Sequence, residues 1–187
     1  MKIILASKSP RRRELLSEIC TDFDIITAEA DETLPDGIHP SQGVEILAVR
    51  KGAPIAEMYP DALVISSDTL VELDGEALGK PTDENDAFDM LSRLSGRAHN
   101  VHTGIAVHYN GRVFSGVDST AVRFKALTGE EILEYIATRE PMDKAGAYGI
   151  QGLGGKFVEG FDGNYDTVVG LSVSLLRSLM EAAYDET

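Results

Sequence analysis

Three consecutive arginines stand where this sequence predicts the first turn of a helix, and clustered cations of this kind can bind phosphate. Positions 7–13 read Ser-Lys-Ser-Pro-Arg-Arg-Arg, with Ser9 suited to the N-cap and Pro10 to the first helical position. Free amide groups and the helix dipole already attract anions to such a start, so added arginines oppose the dipole and cost stability. Their presence therefore indicates a function, most simply the holding of a phosphate. A solvated basic turn explains the segment equally well.

Asp68 is the strongest candidate for a catalytic carboxylate. It follows the apolar run 62–67, which is typical of a central strand, and we predict that this strand ends at Asp68 and Thr69. Ligands of open α/β sheets gather beyond the carboxyl ends of the strands. A carboxylate there can accept a proton from water or hold a divalent ion. An aspartate that merely caps the next turn is the competing interpretation, and it is favoured if the position is taken alone.

Two isolated lysines, Lys51 and Lys80, add to these charged groups. Lys51 falls on the apolar face of a helix that we expect Ser41 to cap. Either its stem lies along the surface, or its ammonium is directed into a cleft. We expect Gly52 and Pro54 to bend or split this helix.

The segment 143–155 contains five glycines, which let the backbone pass close to a ligand or to another strand. It has neither the spacing of a P-loop nor a Gly-x-Gly-x-x-Gly fingerprint. The chain also offers no convincing Ser/His/Asp set and no cysteine nucleophile. Together with the arginines, the lysines and Asp68, the segment suits phosphoryl chemistry by positioning, charge neutralisation and a metal-activated water. A phosphatase, a pyrophosphatase and a nucleotide-binding regulator all satisfy this pattern.

Strand and helix patterns alternate along the chain and must position these groups. We predict a buried first strand at 2–6, a central strand at 62–67 and a separate extended piece at 70–73. Turn signals predict hairpins at Asp74-Gly75, Asn110-Gly111 and Asp162-Gly163. Helices mixed with strands, several of them in hairpins, predict an α/β fold with a mixed sheet.

The bulk composition limits the class of protein. With 187 residues, of which 43% are hydrophobic, the chain is expected to form a single domain, residues 1–187, with two lobes around a cleft. A net charge of −14 argues against a nucleic-acid partner, although a local arginine cluster can still hold a small polyphosphate. No apolar run approaches membrane-spanning length, and the N-terminus lacks a signal-peptide core. We therefore expect a cytoplasmic protein with no membrane partner.

Five motifs occur together in the order and spacing of one family. They are Ala-Ser-x-Ser-Pro-Arg-Arg at 6–12, Ser-Asp-Thr at 67–69, Gly-Lys-Pro at 79–81, Leu-Ser-Gly at 94–96 and Asp-Lys-Ala-Gly-Ala-Tyr-Gly-Ile-Gln-Gly at 143–152. On these residues the chain resembles the Maf family over nearly its whole length. The resemblance implies a nucleoside triphosphate pyrophosphatase that uses a divalent cation, Mg²⁺ or Mn²⁺, and often forms a homodimer. It also implies an elongated mixed β-sheet flanked by helices around a central cleft, similar to the inosine triphosphate pyrophosphatases.

The resemblance also implies roles for individual residues. The proton acceptor of the family falls on Asp68, which together with Glu32 would hold the metal. The base-discriminating positions fall on Arg11, Thr69 and Gln151. The phosphate contacts fall on Ser9, Arg12, Lys51 and Lys80.

Gln151 selects a branch within the family. The branch that resembles dTTP/UTP pyrophosphatases carries Arg after Ser-Pro, Thr after Asp and Gln in the glycine-rich segment, as this chain does. An amide both donates and accepts, so Gln151 can match the O4 and N3–H of uracil or thymine, whereas guanine would prefer a carboxylate. We therefore expect hydrolysis of dTTP and UTP to the monophosphate and pyrophosphate by water attack on the α-phosphorus. The alternatives are a 7-methyl-GTP pyrophosphatase and a nucleotide-sensing regulator of septum formation.

Overall fold

The computed structural model describes residues 1–185, whose strands form one seven-stranded sheet. The strands are β1 (Ile3–Leu5), β2 (Asp24–Ile25), β3 (Leu63–Leu73), β4 (Glu76–Leu78), β5 (Ala98–Tyr109), β6 (Arg112–Phe124) and β7 (Val158–Asp162). The helices are α1 (Pro10–Ser17), α2 (Pro40–Met58), α3 (Glu84–Leu94), α4 (Gly129–Ala137), α5 (Tyr165–Val169) and α6 (Val173–Asp185). Short 3₁₀ turns lie between α4 and β7, at Glu140–Asp143, Ala145–Ala147 and Leu153–Phe157. Among the described helices, none combines the length and the apolar character needed to cross a bilayer.

The sheet is mixed, as the sequence predicts. Its strand order is β2-β1-β3-β5-β6-β7, with β4 paired to β3. β1 runs parallel to β2 and β3, whereas the remaining pairs are antiparallel. The long β5–β6 pair turns at Asn110 and Gly111, whose φ values of 49° and 73° are those of a two-residue hairpin turn. The prediction of an α/β fold with a mixed sheet is therefore confirmed.

The strand β3 differs from the prediction because it does not end at Asp68. The sequence predicts a separate extended piece at 70–73, but β3 is one continuous strand. It continues through its polar middle because β5 pairs with residues 64–72 of it. On its other edge, β1 pairs with β3 only as far as Ile65 and β4 only from Val71. The edge is therefore open between those two residues, and Asp68 lies in this gap.

The helix α2 is one continuous helix of 19 residues, so the predicted split at Gly52 and Pro54 is wrong. The predicted cap is also displaced, because α2 begins at Pro40 with His39 rather than Ser41 as its N-cap. A proline inside a helix removes one backbone hydrogen bond. The packing of α2 on β3, β5 and β6 keeps the helix intact on both sides of that position.

Two of the predicted turns have different outcomes. The hairpin at Asp74-Gly75 is confirmed, since it joins β3 to its antiparallel neighbour β4. The prediction of a hairpin at Asp162-Gly163 is wrong, because β7 ends there and the chain continues into α5. Thr120 of β6 donates a hydrogen bond to the carbonyl oxygen of Asn164 at 2.8 Å, which holds this strand-to-helix turn against the sheet.

Apolar side chains form separate clusters at the two ends of the sheet. One cluster packs α3 and α4 against β3, β5 and β6, and it includes Leu91 and Phe124. Another packs α1 and α6 on the sheet, and it includes Leu16 and Leu176. Ile150 contacts both clusters. The glycine-rich segment therefore crosses the junction between them.

Candidate active site

A cleft of about 1090 Å³ is lined by the turn that leads into α1, by α2, by β3 and by the glycine-rich segment. All of the residues that the sequence singles out line this one cleft: Ser9, Arg11, Arg12, Glu32, Lys51, Asp68, Thr69, Lys80 and Gln151. Segments that are more than 140 positions apart in the chain therefore meet at one surface. The role of each residue in a reaction stays a prediction.

Arg12 enters the cleft from the first turn of α1, where Ser9 is the N-cap. Its Nε donates to the carbonyl oxygen of Gly170 at 2.8 Å, and its Nη2 donates to Thr69 Oγ1 at 3.2 Å. Burial lowers the pKa of the Arg12 guanidinium, and the nearby charge of Asp68 opposes that shift. Within residues 1–185 its hydrogen-bond partners are neutral oxygens rather than carboxylates. A half-buried cation held in this way keeps its charge available for an anion.

Lys51 joins the two carboxylates that the sequence assigns to a metal. Its Nζ lies 2.5 Å from Asp68 Oδ1 and 3.2 Å from Glu32 Oε1. The Glu32 side chain is 67% exposed, so solvent screens its ion pair more than that of Asp68, whose side chain is 13% exposed. The ammonium of Lys51 thus enters the cleft, and the surface interpretation is wrong. The turn-capping interpretation of Asp68 is wrong as well, because Asp68 lies inside β3.

Gly52 explains how Lys51 comes so close to the sheet. A Cβ at this position would lie 2.5 Å from His108 Nε2 and 2.5 Å from Ser66 Oγ. Neither group can move away freely, since Ser66 donates to the carbonyl oxygen of Ala48 at 2.7 Å and His108 contacts the backbone of α2. The glycine therefore permits the close approach of α2 to β3 and β5, and this approach brings Lys51 against Asp68.

Thr69, Arg11 and Lys80 line the cleft in different settings. Thr69 Oγ1 contacts Thr103 Oγ1 at 2.9 Å as well as the guanidinium of Arg12. Arg11 is half-buried, whereas Lys80 is exposed. The residue before Lys80 is tied to the glycine-rich segment by a backbone hydrogen bond from Gly146 to Gly79 at 3.0 Å. This contact holds the Lys80 turn against the glycine-rich segment.

Gln151 lies at the tip of a compact turn, residues 149–154, which we call the glutamine loop. Its side chain is exposed to the cleft and makes no hydrogen bond within the described part of the chain. The loop closes on itself through a backbone hydrogen bond from Gly152 to Gly149 at 3.3 Å. The amide of Gln151 is thus free to meet a ligand.

The structure adds cleft residues that the sequence reasoning missed. Among residues 1–185, six cations and five carboxylates line the cleft, against 17 and 31 in the full sequence. The residues not expected from the sequence are Lys8, Glu29, Glu140, Asp143 and Lys144. Of these five residues, Asp143 and Lys144 had a sequence signal, because they stand in the last of the five motifs. The balance of charge shows that the cleft is far less acidic than the remainder of the protein.

The donor set around Asp68 fits a divalent cation that arrives with a triphosphate. Mg²⁺ is commonly held by one or two carboxylates, with substrate phosphates and water as its other ligands. Asp68 and Glu32 supply two such carboxylates, and both face the same point in the cleft because one ammonium contacts both. Within residues 1–185, no group of three or more His, Cys, Asp or Glu side chains could form a closed metal cage.

Comparisons with known proteins show what this chain is similar to. A curated relative from Clostridium novyi, named dTTP/UTP pyrophosphatase, is 49% identical over 183 residues. The match covers 96% of each chain. Relatives of the same name come from Pelotomaculum thermopropionicum (47% identical; 96% of this chain, 95% of the relative) and Bacillus velezensis (45% identical; 96% of each).

A solved structure, that of the Staphylococcus aureus Ham1 protein, shares the fold with a TM-score of 0.51 at 16% identity. The match covers 66% of this chain and 72% of the Ham1 chain. A model of the family described as Maf-like protein matches residues 2–183. The resemblance drawn from the five motifs is thus confirmed, and the chain belongs to the Maf family.

Proposed function

We propose that this protein hydrolyses dTTP and UTP to the nucleoside monophosphate and pyrophosphate. The observation that carries the proposal is the contact of Lys51 with Asp68 and Glu32 beside Arg12, in a cleft that Gln151 also lines. Such a hydrolysis needs a carboxylate that acts as a general base, several cations and a free amide. The curated relatives at 45–49% identity support the same activity by their names.

Asp68 is the general base of the proposed reaction. Its Oδ1 contacts Lys51, and within residues 1–185 its Oδ2 has no hydrogen-bond partner, so Oδ2 can accept a proton from water. The activated water attacks the α-phosphorus, and pyrophosphate leaves. Arg12, Lys51 and Lys80 neutralise the charge that develops on the leaving pyrophosphate. Ser9, at the N-terminus of α1, is an additional contact for phosphate oxygen.

Asp68 and Glu32 are the ligands proposed for the divalent cation. A bound Mg²⁺ or Mn²⁺ supplies charge neutralisation on the triphosphate and lowers the pKa of water. Lys51 would have to release one of the two carboxylates when the cation binds, because its ammonium contacts both. The triphosphate offers Lys51 new anionic partners.

Gln151 selects the base in this proposal, assisted by Arg11 and Thr69. An amide can donate to O4 and accept from N3–H, which is the edge that uracil and thymine share. A buried polar group left without a partner costs about 1–3 kcal/mol, so a mismatched base is disfavoured. Thr69 also holds Arg12 through its hydroxyl, which links base selection to the phosphate site.

The oligomeric state and the compartment belong to the same proposal. In this proposal the protein acts as a homodimer, as the family resemblance implies, and it acts in the cytoplasm, as we expect from its sequence. Light scattering on the purified protein measures its oligomeric state, and fractionation of cells that express it identifies its compartment.

A panel of nucleoside triphosphates with Mg²⁺ tests the proposed activity. We expect UTP and dTTP to release pyrophosphate and the monophosphate, and we expect activity to disappear when a chelator removes the metal. Release of orthophosphate would instead identify a phosphatase, and preference for 7-methyl-GTP would identify the other branch of the family. Tight binding of UTP without any product would identify a nucleotide sensor.

A further inference from the structure

Glu140 is a half-buried carboxylate to which the proposed reaction assigns no role. Its Oε1 accepts from Tyr135 Oη at 2.8 Å and from the amide of Gly154 at 3.1 Å. Its Oε2 accepts from the amide of Leu153 at 3.0 Å. Tyr135 Oη accepts in turn from the amide of Gly149 at 3.2 Å. One carboxylate and one phenol therefore bind the backbone at both ends of the glutamine loop.

The glycines of the glutamine loop are required by this contact. A Cβ at Gly152 would lie 2.5 Å from Glu140 Oε1. A Cβ at Gly154 would lie 2.6 Å from Tyr135 Oη and 3.0 Å from the carbonyl oxygen of Gly149. The loop can thus lie directly on Tyr135 and Glu140 because these positions lack side chains. A loop that only had to approach a ligand would not need this space on its inner side.

The hydrogen bonds that Glu140 accepts favour its ionised form. Burial raises the pKa of Glu140, but hydrogen bonds from Leu153, Tyr135 and Gly154 outweigh it and the pKa is lowered. A carboxylate has two acceptor oxygens, whereas a glutamine has one oxygen and one NH₂ group. Glu140→Gln would therefore turn a donor toward at least one loop amide and leave that amide without its acceptor.

Gln151 depends on this support because its own side chain has no partner within residues 1–185. The position of Gln151 is set by the backbone on either side of it, and Tyr135 and Glu140 hold that backbone. A recognition group must be held to within a fraction of an ångström to select one base edge.

We propose that Glu140 is a positioning residue for base selection, which holds the glutamine loop so that Gln151 faces the base. This inference rests on the proposed function, in which Gln151 contacts the base. Glu140 itself acts through the loop backbone and not on the reacting atoms. Loss of Glu140 should therefore weaken nucleotide binding and selectivity more than it slows the chemical step.

A double-mutant cycle on the full chain tests the proposal. We expect Glu140→Gln to raise the KM for UTP about 10-fold and to lower the preference for UTP over GTP by a similar factor. The kcat should stay within about 3-fold, as expected for the loss of a binding contact. Gln151→Ala should have the same effect, and the double variant should be no worse than Gln151→Ala alone. The proposal would be overturned if the increases in KM of the two single variants multiplied in the double variant, or if Glu140→Gln left the KM unchanged.

Two further variants separate positioning from stability. Tyr135→Phe keeps the buried ring and removes only the oxygen between Glu140 and Gly149, so it should raise the KM in the same direction as Glu140→Gln. Glu131→Ala removes a carboxylate of α4 that accepts from the amide of Thr128 at 2.9 Å and does not touch the loop. It should lower the melting temperature and leave the KM within about 2-fold. A KM that rises equally in Glu131→Ala would also overturn the proposal.

A binding measurement keeps the two proposals distinct. The probe is a UTP analogue with a non-hydrolysable imido group between the α- and β-phosphorus, and calorimetry gives its dissociation constant. Wild-type protein that binds the probe but does not hydrolyse UTP would contradict the proposed function, while the comparison of variants would still test Glu140. Equal affinity of wild type and Glu140→Gln for the probe would contradict the role of Glu140 alone.

Discussion

Asp68 and Lys51 form an ion pair across 2.5 Å on the floor of the cleft, between β3 and α2. A purely structural ion pair would need only two partners. Here Arg12 and Lys80 line the same cleft, and neither makes an ion pair within the described part of the chain. Additional cations beside an already neutralised carboxylate can hold a further anion. The charges therefore favour a polyphosphate site over a structural pair.

The substitution Asp68→Asn separates binding from turnover. The amide still accepts from Lys51, and the loss of one negative charge favours the triphosphate, so we expect binding of the imido analogue to be retained. We expect the kcat to fall by about 10²–10⁴-fold, because the amide cannot accept a proton from water. Rates of pyrophosphate release and calorimetry give the two quantities.

Asp74→Asn is the matched control for that variant. It makes the same chemical change in the β3–β4 hairpin, where the side chain is 62% exposed and pairs with Arg97. Its rate should stay within about 2-fold of wild type. A near-normal rate in Asp68→Asn would refute the assignment of Asp68 as the base.

Residues with a side-chain motif could be predicted, whereas those that act on the backbone could not. Asp68, Arg12 and Gln151 stand in motifs whose residue types indicate their chemistry. Glu140 has no such signal, because its partners include backbone amides 13 and 14 positions later in the chain. Any residue can supply a backbone amide, so only the three-dimensional structure reveals the contact.

The close packing of α2 on β3 and β5 is the contact between elements that shapes the site. It depends on Gly52 on the helix and on Gly104 of β5, which lies opposite Asp68. A Cβ at Gly104 would lie 2.4 Å from the carbonyl oxygen of Val44. Two glycines thus let the helix lie directly on the sheet.

Gly52→Ala should move α2 away from the sheet and separate Lys51 from Asp68. The clash with His108 and Ser66 outweighs the gain of about 1 kcal/mol from helix propensity, so we expect a net loss of about 1–3 kcal/mol of stability. The activity of the Gly52→Ala variant should fall together with its stability. Urea unfolding and initial rates give the two effects.

Gly129→Ala is the control for this substitution, since a Cβ there would lie 3.8 Å from the nearest atom, in Phe88. It should be neutral or stabilising. Equal stability of Gly52→Ala and Gly129→Ala would contradict the packing argument.

Local signals predict elements well where the partner is near in the chain. The turn at Asn110-Gly111 joins two consecutive strands, and the sequence predicts it correctly. The continuity of β3 depends on β5, in which Gly104 pairs with Asp68 from 36 positions away, so no local pattern indicates it. The Asp162-Gly163 signal was misassigned because the same residue types serve hairpins and strand-to-helix turns.

The cleft's nearly balanced charge contrasts with the net charge of −14 for the whole chain. The remaining surface is therefore strongly acidic and repels polyanions at long range. Screening over about 8 Å at physiological ionic strength limits that repulsion near the cleft. This distribution suits a small triphosphate rather than a nucleic acid.

Buried His99 should make the stability of the whole molecule depend on pH. His99 is 3% exposed, and burial lowers its pKa to about 4. As the pH falls from about 6.5 to 4, the unfolded imidazole gains a proton and the folded one does not, so stability decreases. The loss amounts to about 3 kcal/mol at most.

His99→Gln should remove most of this dependence. Its free energy of unfolding, from urea titrations at pH 7 and pH 4.5, should fall by less than that of wild type. His108, whose pKa burial also lowers, is present in both proteins and cancels in the difference. Parallel losses in the two proteins would exclude His99 as the cause.

Hydrolysis of UTP in ¹⁸O-labelled water tests most directly whether this cleft directs water to the α-phosphorus. Mass spectrometry of the products locates the oxygen that the water supplied. Attack at the α-phosphorus puts the label in UMP and leaves pyrophosphate unlabelled, which is the result we predict. Label in pyrophosphate or in orthophosphate would show attack at another phosphorus and contradict the proposed reaction.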